Sequence, residues 1–184
     1  MQCGKHTLNA LGGEKWVTTE LLQEISDQLR QKDSTAGLFH PFHHWMGSWL
    51  GSWDIMVLVE ALKLRQMKFS EHLARKPLHQ VDADLVELQS KLNDADTVGV
   101  VLNEHSSGWW NRMFMGNHWY ALILGPPSRQ SLGHVETRLW FNSDSKLNAP
   151  VLVGKNGSVD DVLIWLRESM VARNGNCFLV QHDR

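Results

Sequence analysis

The spacing of apolar residues changes period near residue 97, and this change narrows the possible folds of the chain more than any other feature. Before it the spacing is helical. Leu8 and Leu11 stand three apart in a short run from Cys3 to Leu11, and Gly12-Gly13 supplies a stop that tolerates positive φ. That places Cys3 at a helix N-terminus. A second helix is predicted from a cap at Thr18 or Thr19 to about Lys32, with Leu21, Leu22, Ile25 and Leu29 on one face. Asp54 can cap a third, running to about Gln66, whose apolar positions from Ile55 to Leu64 cover most of its circumference and so predict an interior helix. A fourth follows over residues 83–92, where Leu85, Leu88 and Leu92 continue a face opened by Val81.

Beyond that point Val98–Leu102, His118–Leu124 and Thr137–Asn142 are short β-branched or aromatic runs bounded by turn residues, which predicts strands. Ser158 with Asp161 has the form of a capping box for a last helix to about Met170, and Cys177–Gln181 predicts a final strand. Helices first and strands later, joined by short connections, indicate an α+β fold with a mostly antiparallel sheet. Residues 37–53, rich in Gly, Pro, His and Trp without a clean period, predict a structured loop or irregular helical arm.

Composition removes several classes of function. The 184 residues suit one domain with a sizeable core, and 42% apolar with 21% charged residues is ordinary for a folded globular protein. Eighteen Lys and Arg against 20 Asp and Glu leave a formal charge of -2, without the basic footprint that binds nucleic acid. No run reaches the roughly 20 apolar residues of a membrane span, and no apolar signal segment opens the chain. The expectation is an intracellular monomer of the cytoplasm, with the nucleus as an alternative, and with Cys3 and Cys177 reduced. No phosphate-binding glycine loop is present, and no cofactor is called for.

Three residues carry the candidate chemistry. A cysteine in the first turn of a helix has its thiolate favoured by unpaired N–H groups and the positive helix end, which suits Cys3 to be a nucleophile. The plain alternative is a small buried hydrophobe. His118 opens a predicted strand after a glycine-containing loop and can face a cleft, although one of ten histidines can equally be structural. Asp144 ends the next strand, where a carboxylate can orient an imidazole on its neighbour, or serve only as a turn residue.

The local wording around these residues decides between the alternatives. Cys3-Gly4-Lys5-His6-Thr7-Leu8-Asn9-Ala10-Leu11 resembles the nucleophile motif of the Josephin family of papain-like cysteine deubiquitinases, in which Cys is followed by x-x-His and then by x-Leu-Asn-x-(Leu/Val). His118-Trp119 resembles the His-Trp at that family's base, and Phe141-Asn142-Ser143-Asp144-Ser145-Lys146-Leu147 resembles the (Tyr/Phe)-Asn-Leu-Asp-Ser-Lys-Leu of its small members. The resemblance covers nearly the whole chain as a single Josephin-like domain of residues 1–184 with a papain-like fold. It implies ubiquitin or ubiquitinated proteins as partners, Cys3 as nucleophile, His118 as general base and Asp144 as its orienter. It also implies a helical arm over residues 17–53 and a ubiquitin-side role for Ile55, Met56 and Trp119, for which core packing is the alternative on periodicity alone.

One family feature is missing from the sequence as it stands. The resemblance implies a glutamine about five residues before the nucleophile as an oxyanion donor, whereas Gln2 is adjacent to Cys3 and out of register. Loss of such a donor costs on the order of 10²–10³ in turnover. A ubiquitin-binding pseudoenzyme with weak or no cleavage is therefore the rival expectation. A metal site at His40, His43 and His44 is a further one, opposed by the lack of a cysteine partner or an HExxH spacing.

Overall fold

Two apolar sets alternate along the central strands, and this alternation builds the layers of the molecule. In the computed structural model, residues 3–36, 55–73, 78–105, 117–126, 138–173 and 175–184 are described. Their elements are α1 (Cys3–Gly12), α2 (Thr19–Ala36), α3 (Ile55–Lys63), β1 (Met67–Leu73), α4 (Leu78–Leu92), β2 (Thr97–His105), β3 (Asn117–Leu124), β4 (Trp140–Ser143), β5 (Val151–Leu152), α5 (Val159–Ala172) and β6 (Asn176–His182). The strands form one sheet in the order β1-β6-β2-β3-β4-β5, with every pairing antiparallel.

Successive residues of a strand point to opposite faces. Val101, Trp119, Ala121 and Val180 accordingly join a core with Leu8 and Leu11 of α1, Leu22 of α2 and Leu58 and Leu62 of α3. Their neighbours Val100, Leu102, Tyr120, Leu122 and Leu179 join a second core with Leu85 and Leu92 of α4 and Leu166 and Met170 of α5. Helices therefore cover both faces of the sheet, and the central strands are buried on both sides. The fold is α+β, as the order of the periods implies.

The element ends depart from the sequence expectation at identifiable places. The third helix stops at Lys63, and Gln66 takes a left-handed φ of 53°, which turns the chain into β1, a strand the periodicity does not reveal. That helix is one-sided: Val57, Leu58, Ala61 and Leu62 are buried, while Met56 is exposed. The fourth helix begins at Leu78, earlier than residue 83, and the second continues to Ala36. The strand expected over Thr137–Asn142 lies at Trp140–Ser143. Residues 37–54, which include the aromatic arm and His40, His43 and His44, lie outside the described residues.

Side-chain hydrogen bonds secure several element ends. Thr18 Oγ1 accepts from Leu21 N at 3.2 Å at the start of α2. At the start of α5 the capping box forms, with Ser158 Oγ accepting from Asp161 N and Asp161 accepting from Ser158 N, both at 3.2 Å. Between α1 and α2, Asn9 Oδ1 accepts from the N–H groups of Trp16 (2.9 Å) and Val17 (2.7 Å), and its amide donates to Val17 O at 3.1 Å. Trp16 Nε1 donates to Leu8 O at 2.8 Å. Asn9 thus ties the helix that carries Cys3 to the segment leading away from it.

Candidate active site

Cys3 is the first residue of α1, which packs along β3. The thiol is buried, with the residue only 3% exposed. Burial by itself pushes a thiol pKa up, because it disfavours the charged form. Here that effect is outweighed by the His118 imidazole and by the backbone N–H groups of Trp119 and Gly4, and the Cys3 pKa lies below its ordinary value of 9.0. The helix start thus delivers the donor expected of it, and β3 adds a second.

His118 is the second residue of β3, and its partner acid comes from the end of β4. The register closes with Ala121 opposite Ser143, so the next residue, Asp144, falls level with Tyr120 and diagonal to His118 on the same face. His118 Nε2 lies 2.9 Å from both Oδ1 and Oδ2 of Asp144. The Asp-Ser-Lys wording has a local purpose, since Lys146 N donates to Asp144 Oδ1 at 2.8 Å and fixes the carboxylate in an Asx turn. Both partners are largely shielded, with side-chain exposures of 16% for His118 and 17% for Asp144.

With Nε2 committed to the carboxylate, the nitrogen left for the thiol is Nδ1. It is buried, and Cys3 and His118 each shift the other's pKa through their contact. Burial lowers the His118 pKa, but the hydrogen bond to Asp144, together with that to Cys3, raises it from 6.5 to about 9. For Asp144, burial is overcome by the hydrogen bond from His118 and by the Lys146 N–H, which hold the carboxyl below its ordinary 3.8. The three shifts act in one sense, each displaced towards the charged form of its group: thiolate, imidazolium and carboxylate. Such a set can attack an acyl carbon and hand a proton to the leaving group.

Cys3, His118 and Asp144 are therefore brought together, and Trp119 lies beside them. The residue is 4% exposed and packed in the core that holds Cys3, with its ring centroid 6.1 Å from that of Phe178. Its backbone N–H, which motif wording cannot show, serves the thiol. Ile55 is half-buried against the same core, whereas Met56 is 49% exposed. Cys177 is fully buried in the opposite core, and burial followed by the negative charge of Glu104 pushes its thiol well above the ordinary range.

Comparison with known proteins adds one finding. The family model described as Josephin matches residues 1–181. Among curated proteins, none matches the chain.

Proposed function

The chain belongs to the Josephin family, and on that premise we propose that it is a thiol-dependent deubiquitinase, hydrolysing isopeptide bonds at the C-terminus of ubiquitin with Cys3, His118 and Asp144. The family is known for deubiquitinase activity. The observation that carries the reading is the Asp144–His118 contact of 2.9 Å through both carboxylate oxygens, beside a thiol whose pKa is lowered by that same imidazole.

The Cys3 thiolate attacks the carbonyl carbon of ubiquitin's last glycine, and the carbonyl electron pair moves onto oxygen. Backbone N–H groups at the start of α1 are suited to meet that charge. The adduct collapses as the C–N bond breaks, and the imidazolium of His118 gives its proton to the departing lysine amine. The now neutral imidazole takes a proton from water as the water attacks the thioester, releasing the ubiquitin carboxylate and restoring the thiolate–imidazolium pair. Asp144 holds the ring throughout and keeps the imidazolium form favoured. Met56 and Ile55 at the start of α3 are assigned to the ubiquitin side, while Trp119, packed in the core, serves the thiol through its backbone N–H.

The rival is a ubiquitin binder that does not cleave, favoured by the 3% exposure of Cys3, which leaves little room at the thiol for a carbonyl. Incubation with ubiquitin bearing a C-terminal electrophile, followed by a ubiquitin C-terminal amide substrate, separates the two. A covalent adduct with turnover supports the enzyme, whereas affinity for ubiquitin without either supports the binder.

A further inference from the structure

Behind His118, on the face away from α1, lies a polar cluster that the catalytic scheme does not use. The β2–β3 register pairs Glu104 directly with His118, and the alternation along β3 puts Tyr120 on the same face. The rings of His118 and Tyr120 stack with centroids 5.7 Å apart and an interplanar angle of 25°. Tyr120 is 2% exposed, and its hydroxyl donates to Glu104 Oε1 at 2.6 Å while accepting from Trp165 Nε1 at 3.2 Å. The same Glu104 oxygen accepts from Ser169 Oγ at 2.9 Å and from Arg173 Nη1 at 3.3 Å. The guanidinium of Arg173 lies 5.5 Å from the centroid of the Trp165 ring. Trp165, Ser169 and Arg173 are spaced every fourth residue along α5 and its C-cap, so one helix face supplies three of the cluster's donors.

A carboxylate directly across from an imidazolium would ordinarily compete for it. The groups around His118 are Cys3 from α1, Asp144 and Lys146 from the end of β4, Tyr120 from its own strand and Glu104 from β2, with Arg173 behind Glu104. Donors from Tyr120, Ser169 and Arg173 turn Glu104 towards α5 and leave the imidazole to Asp144. Ion pairs in shielded positions are often no more stabilising than apolar replacements, which makes a role in fixing geometry the more economical account of this one.

We propose that Tyr120 and Glu104 are positioning residues for His118, Tyr120 forming the surface against which the imidazole lies and Glu104, clamped from α5, holding Tyr120 in place. The proposal rests on Cys3 and His118 acting as nucleophile and base, and not on ubiquitin being the substrate. If the ring loosens, its pairing with Cys3 weakens and the thiol pKa climbs back towards the ordinary 9.0.

The test follows alkylation of Cys3 by iodoacetamide as a function of pH, with the site mapped by peptide mass, in Tyr120→Phe and Glu104→Gln. Arg167→Ala, which breaks an exposed ion pair with Asp82, serves as control. Both variants are expected to raise the alkylation midpoint by about half a unit or more, a displacement that a loss of global stability does not produce in folded protein. On a ubiquitin C-terminal amide substrate, kcat should fall about tenfold with KM within about twofold, the signature of misplaced groups. The control should change neither. Folded variants with wild-type midpoints would overturn the proposal, and if Tyr120→Phe does not fold, Glu104→Gln decides. A shifted midpoint in a chain that does not cleave ubiquitin conjugates would uphold the positioning role and remove ubiquitin as the substrate.

Discussion

Asp144 presents both carboxylate oxygens to a single nitrogen of His118, 2.9 Å from each, while the opposite nitrogen faces a buried environment in which Cys3 is the group left to serve. The pair therefore fixes the direction of the ring and not only its charge.

The pH dependence follows from the signs. His118 has its pKa raised from 6.5 to about 9, so the stability gained from its pairing is complete below 6.5 and is lost as pH rises through about 9. Asp144 is shifted the other way, and its contribution is present above 3.8 and lost as pH falls through its depressed value. A bell-shaped kcat/KM profile is expected, its alkaline limb near 9 marking loss of the imidazolium in the coupled pair. Asp144→Ala should lower kcat/KM and move that limb down towards 6.5. A profile with the limb unmoved would detach Asp144 from His118.

Asn9 is predicted to be structural. Asn9→Ala leaves the N–H groups of Trp16 and Val17 without their acceptor, and a loss of about 1–3 kcal/mol is expected for such partly buried donors. Chemical denaturation measures it. Turnover per folded molecule should change far less than stability.

Cys177→Ala removes a buried thiol from the core formed with Leu102 and Leu179, for an expected cost of about 1 kcal/mol. Activity should persist, and Cys3 should remain the alkylated residue.

Met56 tests the substrate side. Because the residue is 49% exposed at the start of α3, Met56→Glu should leave the melting temperature nearly unchanged. A rise in KM of several-fold with unchanged kcat is expected if ubiquitin rests there. Equal KM values would remove Met56 from the interface.

Much of this architecture is legible because period and burial coincide. Leu22 and Ile25 point inward from α2, and Val100, Val101 and Leu102 fill both faces of β2, as a doubly covered strand requires. What escapes is explained by edges and by distance in sequence. The edge strand β1 reads Met-Lys-Phe-Ser-Glu-His-Leu, buried only at its ends, and its pairing with β6 slips between Phe69 and Glu71, so it has no clean alternation to detect. In the site, the wording around Cys3, His118 and Asp144 marks residues whose side chains converge. The Trp119 N–H is invisible to such reading because it is a backbone contribution. The Glu104 cluster escapes because its partners Trp165, Ser169 and Arg173 lie on a helix far along the chain.

The central claim is that Cys3 is a nucleophile directed at the ubiquitin C-terminus, and intact mass spectrometry after incubation with an electrophilic ubiquitin probe tests it most directly. The expected result is one ubiquitin added per chain, mapped to Cys3, abolished by Cys3→Ala and retained in Cys177→Ala. Folded protein that forms no adduct, or forms it at Cys177, would contradict the claim.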